Sequence, residues 1–414
     1  MKRRLTLFTS AVVLSAALGA GIFTPGCALL GEALAFFGID LLGVIPADDF
    51  VESGLVELTL LPKDGEGGIA LGSFEGSDAD VTVFGEDGSE NNCDFVTSET
   101  IEASRFNSVA LLTDDSGSME NYYPVEEYGD LCQTCPHDPA RMRVDAANDL
   151  VDVLLAEAPY SRISVMRFGP DTSADMDATM VLEDFTNDGS ALDSAISGIG
   201  SSERAGTPLW QSLTEIILAL DEDADMVDDA LKAAVHTGDS LTIDDMPDPE
   251  AKEEEDPVVV ADPEVELPSD VDVTDEARRI IVVITDGDNY NLESDISLAD
   301  VIRLANENEV TIHAIRLGPA SQVNNDPLLT TDEQKNAVNN LQQLAGETGG
   351  FYASVHDASG LRELYSNIAM SLSQGYNEST FDCSGTETVE SGDRVNGEVT
   401  VGDGMAIPFS FLAP

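Results

Sequence analysis

Residues 108–119, SVALLTDDSGSM, end an apolar run in a loop that carries Asp114, Ser116 and Ser118. The Asp-x-Ser-x-Ser spacing gathers three small oxygen-bearing side chains on one short loop. Two more oxygen donors stand downstream, Thr207 in Gly206-Thr207-Pro208-Leu209 and Asp286 in Asp286-Gly287. Two carboxylates and three hydroxyls suit a hard cation such as Mg²⁺, which takes about six oxygens and keeps some of its waters. Hydroxyl ligands bring no charge. If the two aspartates hold waters rather than the metal, the ion stays electrophilic and seeks an acidic ligand from outside. Taken singly, Asp114 and Ser116 suit a turn or a helix cap, and Thr207 a cap for the helix at 208.

The elements that must position these loops alternate between strand and helix. Strands are predicted at 108–113, 162–168, 179–185, 279–285, 310–317 and 350–354. The run Ile280, Ile281, Val282, Val283, Ile284 is apolar without alternation, which suits a parallel strand covered on both faces. Helices are predicted at 141–158, 190–199, 208–221, 297–308, 334–346 and 358–373, the first and last with apolar residues recurring at three and four. Such alternation implies right-handed crossovers and an α/β, doubly wound, mostly parallel sheet. Ligand sites in that architecture lie at the carboxyl ends of strands. In a doubly wound sheet all three oxygen-bearing loops could reach that same carboxyl edge.

The chain resembles the von Willebrand factor A family. Its metal-ion-dependent adhesion site has Asp-x-Ser-x-Ser on the first loop, Thr on the second and Asp on the third, matched by Asp114, Ser116, Ser118, Thr207 and Asp286. The flanks agree as well: LLTDDSGSM looks like the family's strand plus D-x-SGSM, AGTPL like GGTPL, and VVITDG like the strand plus TDG. The likeness covers roughly 107–374, apart from two insertions. It implies a bound divalent cation, Mg²⁺ or else Ca²⁺ or Mn²⁺, that grips an exposed Asp or Glu of a protein partner. Ser116 and Ser118 would ligate directly, Thr207 directly in the ligand-bound state, and Asp114 and Asp286 mainly through water. Asp115 and Asp288 read as solvated carboxylates rather than ligands.

The regions around this core read differently. Residues 54–104 and 375–414 contain β-branched runs separated by Gly-rich turns, and together suggest a small β-rich domain built from both flanks. Residues 28–53 read as a tether or a short docking helix. The core, 105–374, carries insertions at 120–139 and 221–277. The second is rich in Asp, Glu and Pro, and from Asp244 to Asp275 its composition is that of a disordered, solvated segment. In the first, Tyr122, Tyr123 and Tyr128 would suit a contact surface or anchor the insertion.

The first 27 residues read as an export signal, with basic Lys2, Arg3 and Arg4 ahead of an apolar stretch. The stretch resembles a bacterial lipoprotein signal ending at Cys27, where the mature protein would be lipidated, although Thr24 stands where that signal usually has Leu. Cleavage near Ala20 or Ala28, or an uncleaved anchor, would export the chain as well. This places the protein at the bacterial cell envelope, held to the membrane through its N-terminus only. No later segment has the about 20 apolar residues of a membrane span.

Beyond Cys27 the cysteines are Cys93, Cys132, Cys135 and Cys383. An even number in an exported chain suggests disulfides. We favour Cys93–Cys383 with Cys132–Cys135 as a local loop, though four cysteines allow three connectivities and sequence does not choose. Cys132-x-x-Cys135-x-His137 is only half a zinc site and has no second pair.

Composition narrows the function classes further. Lys+Arg number 19 against 79 Asp+Glu, a net charge of −60. Such a surface repels nucleic-acid phosphate and anionic headgroups. There is no Gly-x-Ser-x-Gly elbow, no P-loop and no Asp-x-Asp nucleophile on the first strand, so the chain reads as a binding module rather than an enzyme. The alternative reading is an envelope scaffold or assembly factor whose cation mainly rigidifies the fold. His313, in a buried strand, reads as a hydrogen-bonded core residue.

Overall fold

The computed structural model describes residues 36–47, 49–64, 69–71, 74–85, 89–116, 119, 138, 140–168, 179–200, 207–237, 276–286, 296–317, 332–355, 360–384, 389–401 and 406–414. Its centre is a six-stranded sheet of β6 (Asn107–Asp114), β7 (Arg162–Phe168), β8 (Thr179–Thr186), β9 (Arg278–Thr285), β10 (Val310–Leu317) and β11 (Tyr352–Val355). The order is β11-β10-β9-β6-β7-β8. All neighbours are parallel except β8, which runs antiparallel to β7 at the edge. Every residue of β6 and β7 is buried, as is β9 from Ile280 to Thr285. Covering the sheet on both faces requires apolar residues at consecutive positions, and these strands have them.

Helices α2 (Met142–Glu157), α3 (Gly189–Ile196) and α7 (Leu361–Gln374) cover one face. Their Leu150, Leu154, Leu192, Tyr365, Ile368 and Leu372 share a core with Val109, Leu111, Val282 and Ile284. Helices α4 (Leu209–Thr237), α5 (Leu298–Glu307) and α6 (Asp332–Glu347) cover the other. There Leu213, Ile217, Leu220, Val301 and Leu341 pack on Ala110, Leu112, Ile281 and Val283. Alternate residues of each strand therefore feed opposite cores. The helix starts are locally specified: Asp188 caps α3 through Ser190 and Ala191, and Ser297 and Asp300 form a reciprocal capping box on α5.

The flanks interleave into two further antiparallel sheets. One is β1 (Phe36–Pro46), β2 (Leu55–Asp64), β12 (Tyr376–Asp382) and β5 (Asp94–Ile101), with the short helix α1 (Phe50–Ser53) between β1 and β2. The other is β14 (Ile407–Leu412), β13 (Arg394–Val401), β3 (Ala79–Phe84) and β4 (Glu90–Asn92). They close on one core of Val56, Leu58, Leu60, Val81, Val83, Phe381, Val399 and Phe411. A Cys93–Cys383 disulfide joins the N-terminal flank to the C-terminal one. The opposite face of the first sheet meets the central unit, where Leu42 and Leu61 enter its core. At that contact a Cβ on Gly43 would lie 2.5 Å from Phe351 Cβ, so only glycine lets β1 approach so closely.

Two expectations are corrected here. Residues 36–46, expected within a tether or docking helix, form strand β1, because β2 offers it an antiparallel partner from Phe36 to Pro46. Residues 221–237, expected to open the acidic insertion, continue helix α4. Their acidic side chains are matched by strand arginines: Arg162 with Asp223, and Arg279 with Asp221, Asp225 and Asp228. Among the described residues, no helix is long and apolar enough to cross a membrane.

Candidate metal centre

The strand order reverses between β6 and β9. From β6 the chain moves outward through β7 to β8, then returns to β9 on the other side and moves outward again. That switch point leaves a crevice beyond the carboxyl ends of the two central strands. Asp114 is the last residue of β6, and Asp286 directly follows β9.

Asp114 is fully buried. Its Oδ1 accepts the Ser116 backbone N–H at 2.8 Å, closing a local turn. Its Oδ2 accepts Thr285 Oγ1–H at 2.7 Å across to β9. Burial, and then the Asp286 carboxylate, push Asp114 up to about 6, against the pull of its Ser116 and Thr285 hydrogen bonds. The β6–β9 register pairs Thr113 with Ile284, so Asp114 and Asp286 leave adjacent parallel strands at the same edge. Ser116, Asp286 and Thr207 are also buried. Thr207 stands just ahead of α4, whose first residues, Leu209 and Trp210, share a core with Leu112 and Val283 near the same strand ends. Ser118 lies outside the described residues, as do Gly287, Asp288, Cys27, Cys132, Cys135 and most of the first insertion.

The donors fit a hard divalent cation. They are oxygens only, and two mutually repelling buried carboxylates gain from a doubly positive neighbour.

Asp115 corrects the sequence reading, which left it in solvent. It is 2% exposed. Its Oδ2 lies 2.9 Å from Arg167 Nη1 and its Oδ1 3.5 Å from Arg143 Nη2. Arg143 also pairs with Asp138, which in turn accepts the backbone N–H groups of Met142 and Arg143 at the start of α2. The two adjacent carboxylates diverge: Asp114 accepts from Thr285 at the end of β9, while Asp115 pairs with Arg167 of β7. Sequence reasoning missed Thr285, Arg143, Arg167 and Asp138. Arg167 did carry a signal: a basic residue inside a buried strand needs an anion. Asp138 N–H donates to Met119 O at 2.7 Å, so the first insertion leaves and rejoins the fold at one point beside this loop. His313 is the core residue expected: it is 1% exposed, accepts the Phe351 N–H at Nδ1 and stacks on that ring at 4.1 Å. Burial and Arg278 push it down to about 3.

The fold and site together define a doubly wound α/β unit with oxygen donors at its switch point. No family model matches the chain, and no curated protein matches it. Solved structures similar to it include a von Willebrand factor type A protein from Catenulispora acidiphila, at 10% identity over 92% of this chain and 72% of that one, with a TM-score of 0.37. The SpRpn10 VWA domain is similar at 14% identity over 63% of this chain and 93% of that one, with a TM-score of 0.31. The pilus adhesin SpaC from Lactobacillus rhamnosus GG is similar at 9% identity over 86% of this chain and 45% of that one, with a TM-score of 0.38. The fold class stands on the strand order itself.

Proposed function

We propose that this protein is an exported binding module of the von Willebrand factor A type that grips an acidic side chain of a protein partner through a bound divalent cation. The observation that carries the reading is that Asp114 and Asp286 leave the adjacent strands β6 and β9 side by side at the switch point. Asp114, Ser116, Ser118, Thr207 and Asp286 would hold the ion, Mg²⁺ or else Ca²⁺ or Mn²⁺. When bound, the cation supplies a Lewis-acidic position for a partner's Asp or Glu carboxylate. The chain's own part is positional. Thr285 fixes the Asp114 carboxylate, the Ser116 backbone closes the loop around it, and Thr207 stands just ahead of α4. The N-terminal 27 residues support export and lipidation at Cys27, and hence the bacterial envelope as location. We read the module as a non-enzyme.

The test is capture from cell-envelope extracts on immobilised protein with Mg²⁺, followed by elution with EDTA. The reading expects a partner released by EDTA and not retained by Asp114→Ala. Retention in both cases refutes it. The burial of Asp114, Ser116, Thr207 and Asp286 favours a second reading, a cation that chiefly rigidifies the fold. In that case EDTA lowers the melting temperature and leaves partner capture intact.

A further inference from the structure

The cation reading leaves Asp115 without a task. It follows Asp114 directly, so the two Cα atoms are ~3.8 Å apart. A third buried carboxylate at this distance would add negative charge to the site. The fold instead sets a guanidinium against each of its oxygens, Arg167 at 2.9 Å and Arg143 at 3.5 Å. Arg143, 1% exposed, also holds Asp138 at 2.8 Å. The formal charges of Asp115, Asp138, Arg143 and Arg167 therefore cancel. In a chain with 19 Lys+Arg against 79 Asp+Glu, two arginines committed to this spot are a concentrated use of a scarce charge. An apolar residue at 115 would have avoided burying the Asp115–Arg167 pair, and buried ion pairs bring little net stability over apolar packing.

We propose that Arg167 and Arg143 set the affinity of the cation site for its ion, by neutralising Asp115 so that only Asp114 and Asp286 set its charge. The inference rests on the cation reading given above. The number of charged ligands tunes how tightly a site holds its ion. An ion left with more of its charge attracts an external carboxylate more strongly. The arginines thus weaken retention of the free ion and strengthen its attraction for an acidic partner. Arg167 acts through Asp115 and is a positioning residue.

The experiment is Mn²⁺ binding to the full chain by titration calorimetry. The variants are Arg167→Gln, Asp115→Asn, their double combination, and Arg167→Lys. The four-residue network is neutral in the wild type, one unit negative in Arg167→Gln, one unit positive in Asp115→Asn, and neutral again in the double variant. Affinity should follow that charge. Arg167→Gln should bind Mn²⁺ roughly tenfold tighter and Asp115→Asn roughly tenfold weaker, with the double variant and Arg167→Lys near wild type. A role confined to loop structure would weaken every variant and the double variant most, and that ordering overturns the proposal. A wild type that binds no Mn²⁺ overturns the cation reading and this inference with it. A wild type that binds, with no gain in Arg167→Gln, overturns this inference alone. Should Arg167→Gln fail to fold, Arg167→Met keeps more of the apolar stem with the same charge and carries the same expectation.

Discussion

Thr285 Oγ1 donates a 2.7 Å hydrogen bond to Asp114 Oδ2, joining the last residue of β9 to the last of β6. The bond crosses the switch point and fixes one carboxylate oxygen while Ser116 fixes the other. It sits in full burial, where a lost donor is not replaced by bulk water.

Thr285→Val keeps the side-chain shape and removes the donor. We expect unfolding in urea to show a loss of about 1–3 kcal/mol. Thr285→Ser, which restores the hydroxyl, should recover most of it. Equal stability of the Val and Ser variants would show that the bond does not hold the carboxylate.

Glu378 gives stability a pH dependence between about pH 4.5 and 7. In the β12–β5 register it stands directly opposite Glu99. Burial first, then Glu57 and Glu99, push it from the ordinary 4.5 up to about 7. The folded state therefore keeps a proton that the unfolded chain releases over this window. Stability is full below about pH 4.5, falls as pH rises toward 7, and stays reduced above it. Glu378→Gln should match the wild type at low pH and exceed it by about 1–2 kcal/mol at alkaline pH, after allowance for solvent screening. Parallel urea titrations across this range measure the difference. A constant offset between the two proteins would count against the mechanism.

The Cys93–Cys383 bond closes a loop of sequence separation 290. Cross-linking residues so far apart restricts the unfolded chain strongly, and its loss should cost about 2–5 kcal/mol. The paired Cys93→Ser and Cys383→Ser variant should show this as a lower urea midpoint than the oxidised wild type. The loss should centre on the sheets built from the two flanks, which hydrogen exchange can localise.

Asp223 anchors the acidic half of α4. Its Oδ2 accepts Ser108 Oγ–H at 2.7 Å and its Oδ1 accepts Arg162 Nε–H at 2.9 Å. Asp223→Ala leaves the buried Arg162, first residue of β7, without this anion, and should cost about 3–5 kcal/mol. The exposed pair Arg303–Glu307 is the control; Glu307→Ala there should change stability by less than about 1 kcal/mol. A small effect at both sites would mean that the acidic half of α4 is merely solvated.

Much of the central unit is legible in the sequence because its signals are local. Unbroken apolar runs mark β6 and β9, three-and-four periodicity marks α2 and α7, and Asp114, Ser116, Thr207 and Asp286 stand at the junctions between such elements. Residues 36–46 misled because a Gly-broken apolar stretch reads alike as tether or strand until a partner strand is known. The acidic opening of the second insertion misled for a related reason. Asp and Glu in a row signal solvation unless cations elsewhere in the chain come to meet them, as Arg162 and Arg279 do.

By itself, then, the sequence determined the strand–helix alternation and the place of Asp114 and Asp286 at strand ends, since periodicity and loop chemistry act over a few residues. Only the tertiary structure decided which charges meet. Asp115 finds Arg167 across a separation of 52 residues, Ser108 finds Asp223 across 115, and Asp114 finds Thr285 across 171. No local pattern encodes such pairings; they follow from strand order and register, which bring distant residues to one edge of one sheet.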